Sequence, residues 1–423
     1  MDDTAGTGVC HRMTPPLPTG SSCHPLATIS DRDMLSSCVH CGLCLEVCPT
    51  YQLSGDENNS PRGRLRLWRE EADGRLAPDP WTASYTEECV GCLACEPACP
   101  AKVPYGEILE HTRHQHVATG RTRTPLKLRA AAALASRPWL FNLIMTPVRF
   151  LRRWGALPLR LFFPGKPAVA LSTARYAEQL MRQFHPTGPR VALLTGCLME
   201  AVFREINFAT VRVLIENNVQ VVVPESQGCC GAMQEHLGLD SVDQLREGNR
   251  KAFSSLDVVA VVANSSGCGL ALGKALKGGM PVRDVLDFLG GMNLKKRDRG
   301  NNKARLYIDL PCHLVHGQKL AGIPETVLNA TGYRWELAPQ ARDCCGSGGV
   351  YNLQKPDSAR EILAKKSDFL NTAQGDPVIL GTSNHVCMMQ WNTARADGLV
   401  RKPFEVKHVI QLLDPGEGFA ATS

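Results

Sequence analysis

Two cysteine runs of the same order, C-x2-C-x2-C-x3-C-P, constrain this chain more than any other feature of it. The first is Cys38, Cys41, Cys44 and Cys48, closed by Pro49; the second is Cys89, Cys92, Cys95 and Cys99, closed by Pro100. Three closely spaced thiolates can wrap three irons of one cubane, and in paired runs the fourth crosses to the other cluster. The proline then turns the chain away, because its ring fixes φ and removes a backbone donor. The pattern predicts one [4Fe-4S] cluster on Cys38, Cys41, Cys44 and Cys99, and a second on Cys89, Cys92, Cys95 and Cys48. Zinc would need only one group of four, and two copies ending in Cys-Pro argue against it. These are the ligands of an electron carrier.

The chain has 423 residues and 18 cysteines, enough length for two to four domains with buried cores. Residues 1–37 are polar and rich in Pro, Ser and Thr, with no apolar stretch of the secretory type. Metal-spaced cysteines without such a signal predict a reducing, cytoplasmic setting. Cys10 and Cys23 belong to no pattern and read as passengers in a disordered tail over 1–30. The forty residues between the runs hold Ser60-Pro61, a cap and first-turn proline for a helix over Arg62–Glu71. A helical insert of this kind predicts an α-helical two-cluster ferredoxin domain over 31–120, entered by a short helix at Asp31–Leu35.

The net charge of +6 conceals an asymmetry. From His111 to Ala177 there are twelve Lys or Arg and no Asp or Glu, so removing those twelve cations from +6 leaves the remainder at −6. One basic segment on a mildly acidic protein does not predict a nucleic-acid binder. Residues 121–188 read as a basic amphipathic linker. Pro138–Val148 is apolar but too short to span a bilayer. Beyond it Arg149, Arg152, Arg153 and Arg160 share one helical face, and Phe150, Leu151, Trp154 and Leu161 another. That pattern suits an anionic membrane surface, on the inner face of the cytoplasmic membrane; a helix packed on a partner subunit is the alternative. Pro147, Pro158 and Pro164 are expected to keep any helix here short.

From Arg190 onward strands and helices alternate. Strands are predicted at Val191–Thr195, Val219–Val223 and Val258–Ala263, with helices over 200–217 and 241–255. The pattern restarts with strands at 305–310, 333–337 and 377–381 and helices over 318–331 and 356–370, a period near 115 residues. Alternation of this kind predicts parallel sheets covered by helices, here a duplicated α/β domain with repeats over 189–297 and 304–413 about a pseudo-twofold axis. Each repeat has its own cysteines: Cys197, Cys229, Cys230 and Cys268 in the first, Cys312, Cys344, Cys345 and Cys387 in the second. Thirty-one residues separate the first cysteine from the pair in both. Each follows a predicted strand, so each set should converge at the carboxyl edge of its sheet, where open α/β folds place ligands. The glycine after each pair, Gly231 and Gly346, allows a tight positive-φ turn. Four such thiolates could bind an iron–sulfur cluster, bind zinc, or cycle as redox-active thiols. His313, His316 and His385 stand near enough in sequence to be considered as ligands or proton donors.

These residues resemble a known family. Val39-His40-Cys41-Gly42, Cys48-Pro49-Thr50-Tyr51-Gln52-Leu53, Gly55-Asp56-Glu57 and Pro61-Arg62-Gly63-Arg64 are similar to the iron–sulfur subunit of bacterial glycolate oxidase (glycolate dehydrogenase). Gly228-Cys229-Cys230-Gly231-Ala232, Ser266-Gly267-Cys268-Gly269 and Cys344-Cys345-Gly346-Ser347 continue the likeness. The two repeats also resemble the CCG domains of heterodisulfide reductase and of the C subunit of anaerobic glycerol-3-phosphate dehydrogenase. The resemblance implies a relay subunit beside flavin-binding dehydrogenase subunits that oxidise glycolate to glyoxylate, passing electrons to a quinone or another acceptor. No G-x-G-x-x-G follows a strand and no phosphate loop is present, so the hydride chemistry would belong to a partner. In the heterodisulfide reductase type each motif ends in C-x2-C; here Ser265 and Asn384 stand three before Cys268 and Cys387. Those departures weigh against a five-thiolate cluster and against the alternative function, a heterodisulfide reductase-like thiol–disulfide subunit. A lactate or glycerol-3-phosphate dehydrogenase subunit is a further alternative, and an inert membrane-docking scaffold is a non-enzymatic one.

Overall fold

A computed structural model of the chain describes residues 29–153, 171–300, 303–416 and 419. Cys10, Cys23, Trp154, Pro158, Arg160, Leu161 and Pro164 lie outside the described residues, as do the side chains of Arg152 and Arg153. The N-terminal cysteine runs sit in loops between short helices. Helix Pro61–Ala72 starts where the sequence indicates: Ser60 is its N-cap and accepts from the Gly63 N–H, with proline in the first turn. Leu65, Trp68, Val103, Tyr105, Ile108 and Leu109 form the small core, with Cys89 and Cys95 among them. Helix Tyr105–Ala118 closes this part.

Two four-stranded sheets follow, all of their pairings parallel. Strands β1 (Arg190–Leu194), β2 (Gln220–Val222), β3 (Ala260–Ala263) and β4 (Val282–Asp284) lie in the order β2-β1-β3-β4. Strands β5 (Arg305–Ile308), β6 (Arg334–Leu337), β7 (Val378–Thr382) and β8 (Phe404–His408) lie in the order β6-β5-β7-β8, the same topology. β4 and β8 were not expected from sequence; β4 is three residues long and neither precedes a cysteine. The helix expected over 318–331 is shorter: a π-turn at His313–Gly317 precedes an irregular stretch, and the helix is Glu325–Ala330. Pro324 explains this, because the residue before a proline is steered out of helical conformation.

Strands buried on both faces read as continuous apolar runs, and β1 sorts its residues by period two. Val191 and Leu193 join a core that also holds Leu306, Ile308, Leu380 and Val409, so the two halves share one interior. Ala192 and Leu194 face the other way, into a smaller cluster with Phe253, Val261 and Leu272. Arg212 and Asp414 tie the halves together with a two-pronged ion pair, Nε to Oδ1 at 2.7 Å and Nη2 to Oδ2 at 2.5 Å.

The basic helix departs from expectation. Helix Pro138–Arg153 continues unbroken past Pro147, which lies on its solvent face; there the carbonyl freed by the missing N–H can reach water. Arg149 does not point outward with a cationic face. It is buried, donating from Nη1 to the Ala201 carbonyl at 2.6 Å and from Nη2 to Thr146 Oγ1 at 2.7 Å, and so fastens the helix to the first α/β half. The exposed side is apolar, with Trp139, Leu143, Ile144, Phe150 and Leu151. No helix among the described residues is long and apolar enough to cross a membrane.

Candidate metal centres

The loops of the two cysteine runs are bent by left-handed residues. His40 and Gly42 have φ of 56° and 89° in the first, and Gly91 and Leu93 have 74° and 63° in the second. Each reversal turns the backbone back so that side chains three apart point inward. One cavity is lined by Cys38, Cys41 and Cys44 of the first run together with Cys95 and Cys99 of the second. Cys48 lies near Cys89 and Cys95 of the second run. Burial first, and then the neighbouring Cys92, Cys89 and Cys48, push the Cys95 thiol well up. With Cys95 lining the first cavity, the two groups of four are adjacent.

The surroundings suit an anionic cluster at the second group. Arg64 is fully buried beside Cys48 and Cys89, held by Nε donating to the Tyr85 carbonyl at 2.6 Å and Nη2 donating to Thr50 Oγ1 at 3.1 Å. Its Nη1 has no hydrogen-bond partner among the described residues. A buried guanidinium with a spare donor is costly unless negative charge lies opposite, which four thiolates around iron supply. The donor set is all sulfur, the preference of such clusters. Among the described residues no three Cys, His, Asp or Glu side chains are arranged around a single-ion position.

In the first α/β half, β1, β2 and β3 deliver Cys197, Cys229-Cys230 and Cys268 to one edge. Cys197 Sγ lies 3.4 Å from Cys229 Sγ, and Cys230 bridges Cys229 and Cys268. Hydrogen bonds from Cys197 and Cys230 hold the Cys229 thiol well below its ordinary value, whereas donating raises Cys197 and Cys230. In the second half Cys312, Cys344, Cys345 and Cys387 meet in the same way, and Cys345 receives hydrogen bonds from Cys344 and Cys387. Gly231 and Gly346 follow the pairs at φ of 89° and 84°, as their positions in sequence lead one to expect.

The second half adds a feature with no counterpart. Lys366 Nζ and Asp309 Oδ1 form an ion pair at 2.5 Å, their side chains only 3% and 1% exposed. Trp391 Nε1 donates to Asp309 Oδ2 at 2.8 Å, and its ring lies under the ammonium at 5.9 Å. Burial opposes the Lys366 charge, but Asp309 and Cys345 outweigh it and raise its pKa; burial likewise pushes the Asp309 carboxyl up against the pull of Lys366. Lys366 in turn helps hold the Cys345 thiol down, after its two sulfur donors. Sequence reading passed over these residues because a lysine within a helical pattern reads as a solvated face.

Two contacts join the groups of four. Cys92 packs beside Cys344, so the second α/β site abuts the second run. Ser265 and Asn384 meet between the two α/β sites. Of the histidines considered from sequence, His313 Nε2 lies 3.0 Å from the Gly91 carbonyl and the ring stacks on His236, while His316 Nε2 lies 3.1 Å from the Arg342 carbonyl. His385 Nδ1 sits 3.1 Å from Ser265 Oγ. An ion-paired cluster of Lys274, Glu110 and Glu235 spans the ferredoxin part and the first half; burial, ahead of Glu235, pushes the Glu110 carboxyl up to about 8.

Comparison with known proteins agrees with this layout. A family model described as a 4Fe-4S dicluster domain matches residues 34–103, and one described as a cysteine-rich domain (CCG) matches twice, at 191–273 and 309–391. The glycolate oxidase iron-sulfur subunit of Escherichia coli (strain K12) is 31% identical over 409 residues, covering 90% of this chain and 94% of that protein. The probable glycolate oxidase iron-sulfur subunit of Bacillus subtilis (strain 168) is 30% identical over 422 residues, with coverage of 90% and 94%. One component of the dihydromethanophenazine:CoB–CoM heterodisulfide reductase of Methanosarcina barkeri (strain Fusaro) is 25% identical over 384 residues, covering 80% and 86%.

Proposed function

Because the chain belongs to the family of glycolate oxidase iron–sulfur subunits, we propose that it is the electron-transfer subunit of a flavin-dependent 2-hydroxy-acid dehydrogenase that oxidises glycolate to glyoxylate. In that reaction glycolate gives up two electrons and two protons to a flavin on a partner subunit, and a quinone or another acceptor finally receives the electrons. Bound [4Fe-4S] clusters supply one-electron carriers. Cys38, Cys41, Cys44 and Cys99 hold one, and Cys48, Cys89, Cys92 and Cys95 the other, with Arg64 offsetting negative charge. Cys197, Cys229, Cys230 and Cys268, and Cys312, Cys344, Cys345 and Cys387, hold up to two more. The Cys92–Cys344 contact carries the reading: it puts a group of four from the ferredoxin part directly against one from the α/β part. Peripheral docking on the inner face of the cytoplasmic membrane is supported by the acid-free segment, which carries eleven cations besides the buried Arg149, and by exposed Trp139 and Phe150.

Purification of the complex under anaerobic conditions tests this. The expected result is retention of a flavoprotein and more than the roughly eight irons that two cubanes explain. Cys48→Ser should disturb the paramagnetic resonance signal of the Cys89, Cys92, Cys95 group; loss of the other signal instead would show the ligand sets to be wrong. Turnover of a heterodisulfide with reduced dye at a physiological rate would sink the relay role.

A further inference from the structure

Ser265 and Asn384 are the N-cap residues of helices Ser266–Ala275 and His385–Ala396, held in near-identical extended conformations (φ −147°, ψ 114° and φ −142°, ψ 121°). Side chains of this kind at an N-cap ordinarily accept from a backbone N–H two or three residues on. Neither does so here. They turn to each other instead: Ser265 Oγ donates to Asn384 Oδ1 at 2.9 Å, and Asn384 Nδ2 donates to Cys387 Sγ at 3.4 Å. The Ser265 hydroxyl is also within hydrogen-bonding reach of Cys268. The chain Cys268–Ser265–Asn384–Cys387 therefore runs sulfur to sulfur through the interior, with Ser265 2% and Asn384 8% exposed. A hydroxyl has one hydrogen to give. With His385 Nδ1 at 3.1 Å as a donor to Ser265 Oγ in its Nδ1–H tautomer, that hydrogen has two competing acceptors, Asn384 Oδ1 and Cys268 Sγ.

We propose that the Ser265–Asn384 pair is a switchable bridge coupling the two four-cysteine sites of the α/β halves. When the first site is the more negative, the Ser265 hydrogen turns to Cys268. Asn384 Oδ1 then loses its donor, and the amide that donates to Cys387 is no longer held in place. When the first site is less negative, the hydroxyl returns to Asn384 and fixes that amide on Cys387. Hydrogen bonds to cluster sulfurs set reduction potentials, so a change at one site is felt at the other without any ligand moving. The inference rests on the relay function proposed above, and a helix cap given up at both equivalent positions is the local rule broken in its favour.

A double-variant cycle on the full-length chain, prepared anaerobically, tests the bridge with Ser265→Ala, Asn384→Ala and the pair together. Iron content is measured first. If the α/β sites hold iron, redox titration followed by paramagnetic resonance reads them: Ser265→Ala should shift both sites, and its effect on the Cys387 site should vanish in the Asn384→Ala background. If iron stays at two cubanes' worth, the cluster assignment of the α/β sites fails by itself. The same cycle is then read from the alkylation rate of Cys387 with methyl methanethiosulfonate, which Ser265→Ala should change several-fold. Ser265→Thr, which keeps the hydroxyl, should behave as the parent protein and separates the bridge from packing. Strictly additive effects, or a Cys387 site indifferent to Ser265→Ala, would overturn the proposal.

Discussion

The two α/β halves share strand order, cysteine spacing and a positive-φ glycine after each cysteine pair, yet their sulfur sites stand in unlike surroundings. Counting from Cys197 and Cys312, Asp309 of the second half occupies the position of Leu194 in the first, and Lys366 that of Lys251. Counting from Cys268 and Cys387, Trp391 corresponds to Leu272. In the first half Leu194 and Leu272 make an apolar packing layer, and Lys251 is 76% exposed and ion-paired with Glu247 on its own helix. In the second, the same three positions build a buried, hydrogen-bonded ion pair beside Cys345 and Cys387. The second half meets the ferredoxin part at its sulfur site, through Cys344, Tyr351 and the Lys355–Glu88 pair, whereas the first half meets it through Lys274 and Glu110. One backbone therefore carries two electrostatically different sites, so they are not spare copies of each other.

The largest test of that contrast is removal of one buried charge. Lys366→Met leaves Asp309 alone in the interior, which should cost about 3–5 kcal/mol of stability, measured by urea unfolding of the anaerobic protein. Lys251→Met, at the equivalent position, should stay within about 0.5 kcal/mol. Replacing both partners, Asp309→Leu with Lys366→Met, imitates the first half and should recover most of the loss; no recovery would mean that the pair is more than a substitute for apolar packing.

Acid should separate the halves next. His385 and His408 are buried in the second half, and burial lowers their pKa values to about 3 and about 4. The unfolded chain binds their protons near pH 6.5 while the native state does not, so the stabilisation is complete above that value. It falls as pH drops from 6.5 toward 4 and 3. By pH 5 each should have cost about 2 kcal/mol. Residues 190–290 contain one histidine, His236, lowered by burial at the junction with the ferredoxin part. Hydrogen exchange at pH 5 should accordingly rise more in β7 and β8 than in β1 and β3; an equal rise in both sheets would contradict the contrast.

The smallest effect concerns the first half's own attachment. Arg149→Ala removes the donor from the Ala201 carbonyl and should cost about 1–3 kcal/mol. Protease cutting near helix Pro138–Arg153 should increase while the second half keeps its protection.

Much of this was legible in the sequence where one residue type reports one constraint. Cysteine spacing divided sixteen cysteines into four groups, Ser60-Pro61 located a helix start, and alternation located β1, β2, β3, β5, β6 and β7. What escaped were residues whose role depends on what folds against them. Arg149 and Lys366 have the long stems and charged heads of surface side chains, and only tertiary contact shows that one caps a carbonyl and the other meets an aspartate fifty-seven positions away. Ser265 and Asn384 read as lost thiolates in one dimension; in three they touch. β8 escaped because nothing in the cysteine pattern points to it, although it pairs along its whole length with β7.

The interior shared by Leu193, Leu306, Leu380 and Val409 has a consequence for how this chain can change by mutation. Two duplicated modules with separate interiors would each have to stay above their own stability threshold, and a charge pair buried in one would weigh on that module alone. With a common interior, the threshold applies to the pair. The apolar site of the first half can thus buffer substitutions that bring polarity into the second, and the two sites are free to drift apart chemically while neither half is viable without the other. Expressing one half by itself should consequently give an insoluble product, whichever half is chosen.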